Sequence, residues 1–252
     1  MAAPSQSCLV CGGTGWKPVE QEGVRRVVRC ECMVQASFER RLVAAQVPPR
    51  YEQCCFENFQ TGAPQSHPAY GETLREAYFM AKRFAEEYPV HADFGLLFMG
   101  PCGVGKTHLA VGILRALLEK GVDCLFYDFR ELLKAIQASF NPVSQTTEMQ
   151  VLAPVLETEV LLLDDLGASK PSVWVLDTVG HIINSRYNDK RVTLITTNYL
   201  DTARESTGVR DDTLAERIGE RMRSRLYEMC RVVTMQAEDF RRSVKQAQYH
   251  VR

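Results

Sequence analysis

GPCGVGKT, residues 100–107, follows the apolar run GLLFM (95–99) and opens the stretch THLAVGILRALLEK (107–120). The pattern is G-x-x-x-x-G-K-[ST] between a strand candidate and a helix candidate, where its mechanism requires it. Glycines let backbone N–H groups turn inward and line a cradle for phosphate oxygens. The expected cradle comprises Gly100, Pro101, Cys102, Gly103, Val104, Gly105, Lys106, Thr107 and His108. Lys106 would place a point charge on the outer phosphates, and the Thr107 hydroxyl suits Mg²⁺. The following helix aims its positive N-terminus at the same anion.

A second stretch answers the first. EVLLLDDLG (159–167) is a four-residue apolar run that ends in two carboxylates. Such a run reads as a strand buried on both faces. Carboxylates at its C-terminal end lie at the mouth of the sheet, where open α/β folds bind ligands. Asp164 would join Thr107 in holding Mg²⁺, and Asp165 would polarise an attacking water. Between the two motifs, VDCLFYDF (122–129) predicts another strand and RELLKAIQASF a helix. A helix around 172–188 and a strand at RVTLITTN (191–198) follow. That alternation predicts an α/β fold with a parallel sheet and right-handed crossovers. Thr197 and Asn198 close the last of these strands, and a polar side chain there can reach a γ-phosphate or position the water.

With these motifs placed, the chain resembles the AAA+ ATPases, and within them the DnaC/IstB-like group, over roughly residues 47–245. The resemblance is carried by VPPRYEQCCFENF (47–59), GPCGVGKTHLA, LLLDDLG, TLITTN, GERMRSRLYEMC (219–230) and AEDFRRS (237–243). It implies a P-loop NTPase core with a five-stranded parallel sheet in the order 5-1-4-3-2. It also implies a ring or spiral homo-oligomer in which a neighbour's arginine completes each ATP site. The finger arginine matches Arg225, with Arg221 one helical turn earlier on the same face. The residues alone show an Arg-rich amphipathic helix. Arg241 matches the arginine that reaches the nucleotide from its own subunit. Phe56, Asn58 and Phe59 match the segment that borders the adenine, or else they are core packing. Most AAA+ ATPases have Glu where Asp165 stands, and Asp is common in the DnaC/IstB-like group. A shorter carboxylate reaches less far, so turnover is expected to be slow and stimulated by DNA or a partner. Few residues follow the fifth strand, so the helical lid is expected to be reduced or absent.

The N-terminus carries CLVCGGTGW and VVRCEC. Cys8-x₂-Cys11 and Cys30-x-Cys32 are separated by eighteen residues. Two close thiolate pairs fit a tetrahedral, structural Zn²⁺, the alternative being four free thiols. Between them WKPVEQEGVRRVVR reads as a hairpin turning at Gly23, so the whole looks like a zinc ribbon. A segment this small needs the metal for its folding free energy. Arg25, Arg26 and Arg29, with Trp16 and Phe38 nearby, suit a nucleic acid, a protein partner or simply solvent. Cys54, Cys55, Cys102, Cys124 and Cys230 have no ligand spacing and read as small buried residues or bystanders.

The expected organisation is a zinc-ribbon domain with a short helix (33–46) over 1–46, a linker and a helix leading to the core over 47–90, and the ATPase core over 91–252. QVPPRY marks the linker, TGAPQSHPAYG (61–71) a loop, and ETLREAYFMAKRFAEEY an amphipathic helix. In the family the neighbourhood of 141–158 lines the ring and touches single-stranded DNA. Here that insert has no Lys or Arg, and Lys134 is the nearest cation.

The net charge of −1 excludes a polycation. Residues 1–50 carry seven Lys/Arg against four Asp/Glu, whereas 51–200 carry 12 against 18, so any nucleic-acid surface is a local patch. No apolar run reaches the roughly 20 residues of a membrane span. The first residues have neither a basic nor an apolar signal region, so a cytoplasmic protein with reduced or metal-bound cysteines is expected. The resemblance implies a DnaC-like loader of a replicative helicase, with single-stranded DNA as a further partner. Two alternatives are an IstB-like helper of a transposase and an ATP-switched, zinc-containing binding module with negligible hydrolysis.

Overall fold

The β-strand and helix boundaries follow from where apolar runs meet glycine, proline and short polar caps. A computed structural model describes residues 8–21, 23–61, 68–90, 94–141, 145–203, 205–206 and 209–242. The expectations for the 61–71 loop, the 141–158 insert and a lid fall partly on residues outside this set. The chain divides into two units, Met1–Gln46 and Val47–Arg252.

In the first unit, β1 (Trp16–Gln21) and β2 (Val24–Arg29) form an antiparallel hairpin with Trp16 opposite Arg29. Gly23 sits at the turn with φ 76°, a backbone region that favours glycine. Helix α1 spans Glu31–Ala44, two residues earlier at each end than the sequence suggests. It starts early because Cys30 is its N-cap and Cys32 lies in its first turn, so the second cysteine pair opens the helix. All six residues of β2 are exposed and α1 has no buried residue. The hairpin and helix therefore lack an apolar core of their own.

The second unit opens with a 3₁₀ turn at Pro49–Tyr51, set by consecutive prolines, and α2 (Pro68–Glu87). Residues 68–71 belong to this helix rather than to the preceding loop, because proline is tolerated in a first turn, where its N–H is not needed. Next come β3 (Gly95–Met99), α3 (Lys106–Lys120), β4 (Cys124–Asp128), α4 (Phe129–Ser139), α5 (Glu148–Glu157), β5 (Val160–Asp164), α6 (Val173–Asn188) and β6 (Val192–Thr197). A two-residue ladder pairs β7 (Glu205–Ser206) with β8 (Val209–Arg210). Helices α7 (Leu214–Ile218) and α8 (Glu220–Met229) and strand β9 (Cys230–Thr234) follow. Polar caps begin several helices. The Asp128 carboxylate accepts from the Arg130 and Glu131 amides, and Thr147 forms a capping box with Gln150.

The sheet runs β4-β5-β6-β3-β9 with every neighbour parallel. Numbering these five strands along the chain, this is the order 5-1-4-3-2 read from the other edge. β3, β5 and β6 are buried at every position, as strands covered on both faces must be. Among the described residues no helix is long and apolar enough to cross a membrane.

One buried charge stiffens the frame. Arg186 on α6 is 1% exposed and donates to the carbonyls of Val155, Thr158 and Val192 and to the Thr193 hydroxyl. Burial lowers its guanidinium to about 9. It ties the end of α5, the end of α6 and the start of β6 to one another, so the strand ends opposite keep their register.

Candidate functional site

The C-terminal ends of β3, β5 and β6 meet at one edge of the sheet, because parallel strands all point the same way. Over this edge lies a cavity of about 700 Å³ lined by residues 102–108, Asp164, Asp165, Asn198 and Arg241 among others. Gly100 and Pro101 do not line it. Their carbonyls instead accept from Lys106 Nζ at 2.8 Å each, and Asn198 Oδ1 accepts from it at 2.7 Å. Among the described residues Lys106 forms no ion pair. It is 6% exposed, and burial lowers its ammonium to about 8 against the pull of nearby acidic groups. A buried cation held by neutral acceptors suits an anion, since charge-assisted hydrogen bonds are the stronger ones.

The acidic pair divides in two. Asp164 Oδ1 accepts from Thr107 Oγ1 at 2.8 Å and from Thr196 Oγ1 at 2.6 Å. Burial raises its carboxyl, and the two hydroxyls act in the opposite direction. A carboxylate oxygen and a hydroxyl this close are the hard oxygen donors Mg²⁺ prefers. Asp165 sits beyond the strand end with φ 58°. Its Oδ1 accepts from Asn198 Nδ2 at 2.5 Å and its amide donates to Thr196 Oγ1 at 2.9 Å. Both carboxylates line the cavity, but they have different partners, two hydroxyls for Asp164 and the Asn198 amide for Asp165.

The glycines are needed because their surroundings are close. A Cβ on Gly103 (φ 81°) would fall 1.8 Å from Asp239 Oδ1, and one on Gly105 (φ 98°) 2.6 Å from the Phe59 ring. The segment after β9 therefore lies directly on the phosphate loop, and Phe240 N donates to Gly103 O at 3.2 Å. Arg241 lines the cavity from this segment. His108 faces the cavity while its Nε2 contacts the Cys55 carbonyl at 2.9 Å.

Other expected residues are placed as follows. Asn58 and Phe59 line the cavity, whereas Phe56, half-buried, packs edge-on against Tyr78 and beside Gly112 of α3. Thr197 turns inward and donates to the Leu166 carbonyl at 2.8 Å. Thr196 is the cavity-facing threonine, and strand alternation counted back from Asn198 would have found it. Arg221 and Arg225 on α8 are not among the residues lining this cavity. Arg225 hydrogen-bonds Asn184 of α6 and lies 5.8 Å over the Tyr187 ring, while Arg221 borders a second, smaller hollow beside His181. Lys134 pairs with Glu131 on the surface of α4. Cys54 and Cys102 line the cavity, whereas Cys124 and Cys230 are buried. Arg50 and Tyr51, at the proline turn inside the 47–59 stretch, line it too, although the sequence reading assigned them no site role.

In the N-terminal unit the sulfurs of Cys8, Cys11, Cys30 and Cys32 all lie within 4.8 Å of one another. Cys8 and Cys30 are 3.8 Å apart and Cys11 and Cys32 3.5 Å. Tetrahedral zinc with bonds of about 2.3 Å separates its sulfurs by about 3.8 Å. The Gly15 amide donates to Cys11 Sγ at 3.3 Å, the kind of outer hydrogen bond that orients a thiolate ligand. The cluster is compatible with structural zinc.

A family model described as IstB-like ATP binding protein matches residues 80–248. The replicative helicase loader DnaC of Escherichia coli (strain K12) is 28% identical over 191 residues, covering 75% of this chain and 69% of that protein. YqaM of Bacillus subtilis (strain 168) is 25% identical over 213 residues, covering 81% of this chain and 61% of that protein. A crystal structure of the DnaC helicase loader is similar with a TM-score of 0.61 and 29% identity, covering 75% of this chain and 100% of that one.

Proposed function

The chain belongs to the family of IstB-like ATP binding proteins, and from that premise we propose that it hydrolyses ATP to load or remodel a replicative helicase on DNA. The observation that carries the reading is the Lys106 ammonium, buried at the mouth of the sheet and held by two carbonyls and the Asn198 amide. A triphosphate oxygen is a stronger acceptor than any of those neutral partners. The phosphate loop brings the nucleotide and its Mg²⁺ with it, as in the family.

In this reading Lys106 binds the outer phosphates, and the amides of 102–107 line the loop around them. Thr107 and Asp164 would hold Mg²⁺, which would supply charge neutralisation on the phosphates. Asp165 orients the attacking water, and Asn198 keeps that carboxylate in place. Arg225 serves a neighbouring subunit of a ring or spiral, and Arg221 lies one turn from it. Arg241 reaches the nucleotide of its own subunit. The zinc-bound unit supplies a separate surface for gripping the partner, and single-stranded DNA is the second macromolecule engaged.

The test is capture from the native host with ATP and Mg²⁺ present, alongside phosphate release with and without single-stranded DNA. Recovery of the replicative helicase and stimulated release support the reading. Recovery of a transposase instead supports the second reading, a transposition helper. Nucleotide binding with no release under any condition leaves an ATP-switched binding module.

A further inference from the structure

Arg217 lies on α7, outside every motif of the sequence, and is 8% exposed. Its Nε donates to the Gly167 carbonyl at 2.8 Å and its Nη2 to the Ser169 carbonyl at 2.6 Å. Its Nη1 pairs with Asp212 at 3.1 Å, and its guanidinium lies 4.8 Å over the Tyr199 ring. Gly167 stands two residues after Asp165, and Tyr199 directly follows Asn198. One planar group thus grips the chain just beyond both hydrolytic side chains. There is little slack, since a Cβ on Gly167 would lie 3.1 Å from both Arg217 Cβ and the Tyr199 ring.

A second connection runs beside the first. The Leu214 amide of α7 donates to the Leu200 carbonyl at 2.9 Å. Asp201, three residues after Asn198, takes a two-pronged grip from Arg223 of α8 at 2.7 and 2.6 Å. Helices α7 and α8 are separated by Gly219 alone, with φ 86°. Arg223 lies between Arg221 and Arg225 on the same helix. Any displacement at Asp165 or Asn198 therefore has a short, hydrogen-bonded route to the helix bearing both arginines.

We propose that Arg217 is a positioning residue that couples the hydrolytic loop of its own subunit to α8, so that the nucleotide held in one subunit sets the arginine pair offered to the next. The coupling rests on the nucleotide reading above. A planar fork with donors in three directions performs this task, and a lysine cannot reproduce it.

The test is hydrogen exchange read by mass spectrometry, at concentrations where light scattering finds a monomer, with and without adenylyl-imidodiphosphate and Mg²⁺. In the wild type the analogue is expected to slow exchange both at 100–108 and at 221–229. In Arg217→Lys the protection at 100–108 persists, and that at 221–229 shrinks by about tenfold. If Arg217→Lys does not fold, Asp201→Asn cuts the second connection and is expected to weaken the same α8 response. A purely structural role predicts a lower melting temperature with the α8 response intact, and that result overturns the coupling. Wild-type protection at 100–108 without any at 221–229 also overturns it and spares the nucleotide reading. No protection at 100–108 sinks the nucleotide reading, and the coupling with it.

Discussion

Lys106 Nζ lies 2.7 Å from Asn198 Oδ1, and the same amide donates through Nδ2 to Asp165 at 2.5 Å. The cation proposed to bind the outer phosphates and the carboxylate proposed to orient the water share one side chain. A phosphate that draws Lys106 away also frees half of the amide that holds Asp165. In the proposed reading Asn198 links binding to hydrolysis, and several outcomes follow from that link and its surroundings.

Nucleotide affinity should fall as pH rises past about 8. Burial lowers Lys106 to about 8 in the folded protein, and phosphate favours the charged ammonium. Above that pH binding must take up a proton, so affinity drops by at most about tenfold per pH unit. Titration of a fluorescent ATP analogue from pH 7 to 9.5 measures it. The free protein should behave oppositely. Between the folded value and the ordinary value of 10.5 the unfolded chain binds more protons, so stability rises with pH across that window. Lys106→Met should flatten the rise in thermal melts.

Asp165→Asn should leave nucleotide affinity intact and slow phosphate release by at least about 100-fold, the usual contribution of a positioned base. Asp164→Asn should instead weaken Mg²⁺-dependent binding, because its carboxylate stands 2.8 Å from the Thr107 hydroxyl. Comparing equilibrium binding with single-turnover hydrolysis separates the two. Equal effects of both substitutions on binding would contradict the division of labour between them.

Arg225→Ala should bind ATP normally and lose stimulated turnover, by about 1,000-fold for a finger supplied in trans. The same variant mixed with Asp165→Asn subunits should regain activity. In a mixed ring an intact Asp165 then meets an intact Arg225 from its neighbour. Absence of any rescue would remove Arg225 from the intersubunit site.

Reaction of the chain with a mercurial thiol reagent should release one zinc per molecule. Cys11→Ser should abolish that release and expose the backbone amides of the hairpin to exchange. Structural zinc contributes on the order of 10 kcal/mol, and the exposed β2 and the unburied face of α1 offer no apolar core to replace it. Retained protection of residues 16–29 after metal removal would show that the unit stands without metal.

What was legible in the sequence was what the chain encodes locally. GPCGVGKT, LLLDD, TLITTN and the paired cysteines each combine a strand end or turn with its functional side chains inside a few residues. Backbone geometry over so short a span is dictated by glycine, by apolar runs and by spacing, so Lys106, Thr107, Asp164, Asp165 and Asn198 could be named before any fold. The start of α2 at Pro68 is not legible in the sequence, because proline both breaks helices and begins them, and composition alone does not say which. Tertiary structure decided the rest. It put Phe56 against Tyr78 and Asn58 in the cavity, and it turned Thr196 rather than Thr197 toward Asp164. It brought Asp239 onto Gly103, and it carried Arg217 across fifty positions to Gly167 and Arg186 across thirty-one to Val155. These pairings have no local signature, since a side chain's partner at long range is fixed by which elements pack together. That packing is a property of the whole sheet and its helices, and no short stretch contains it.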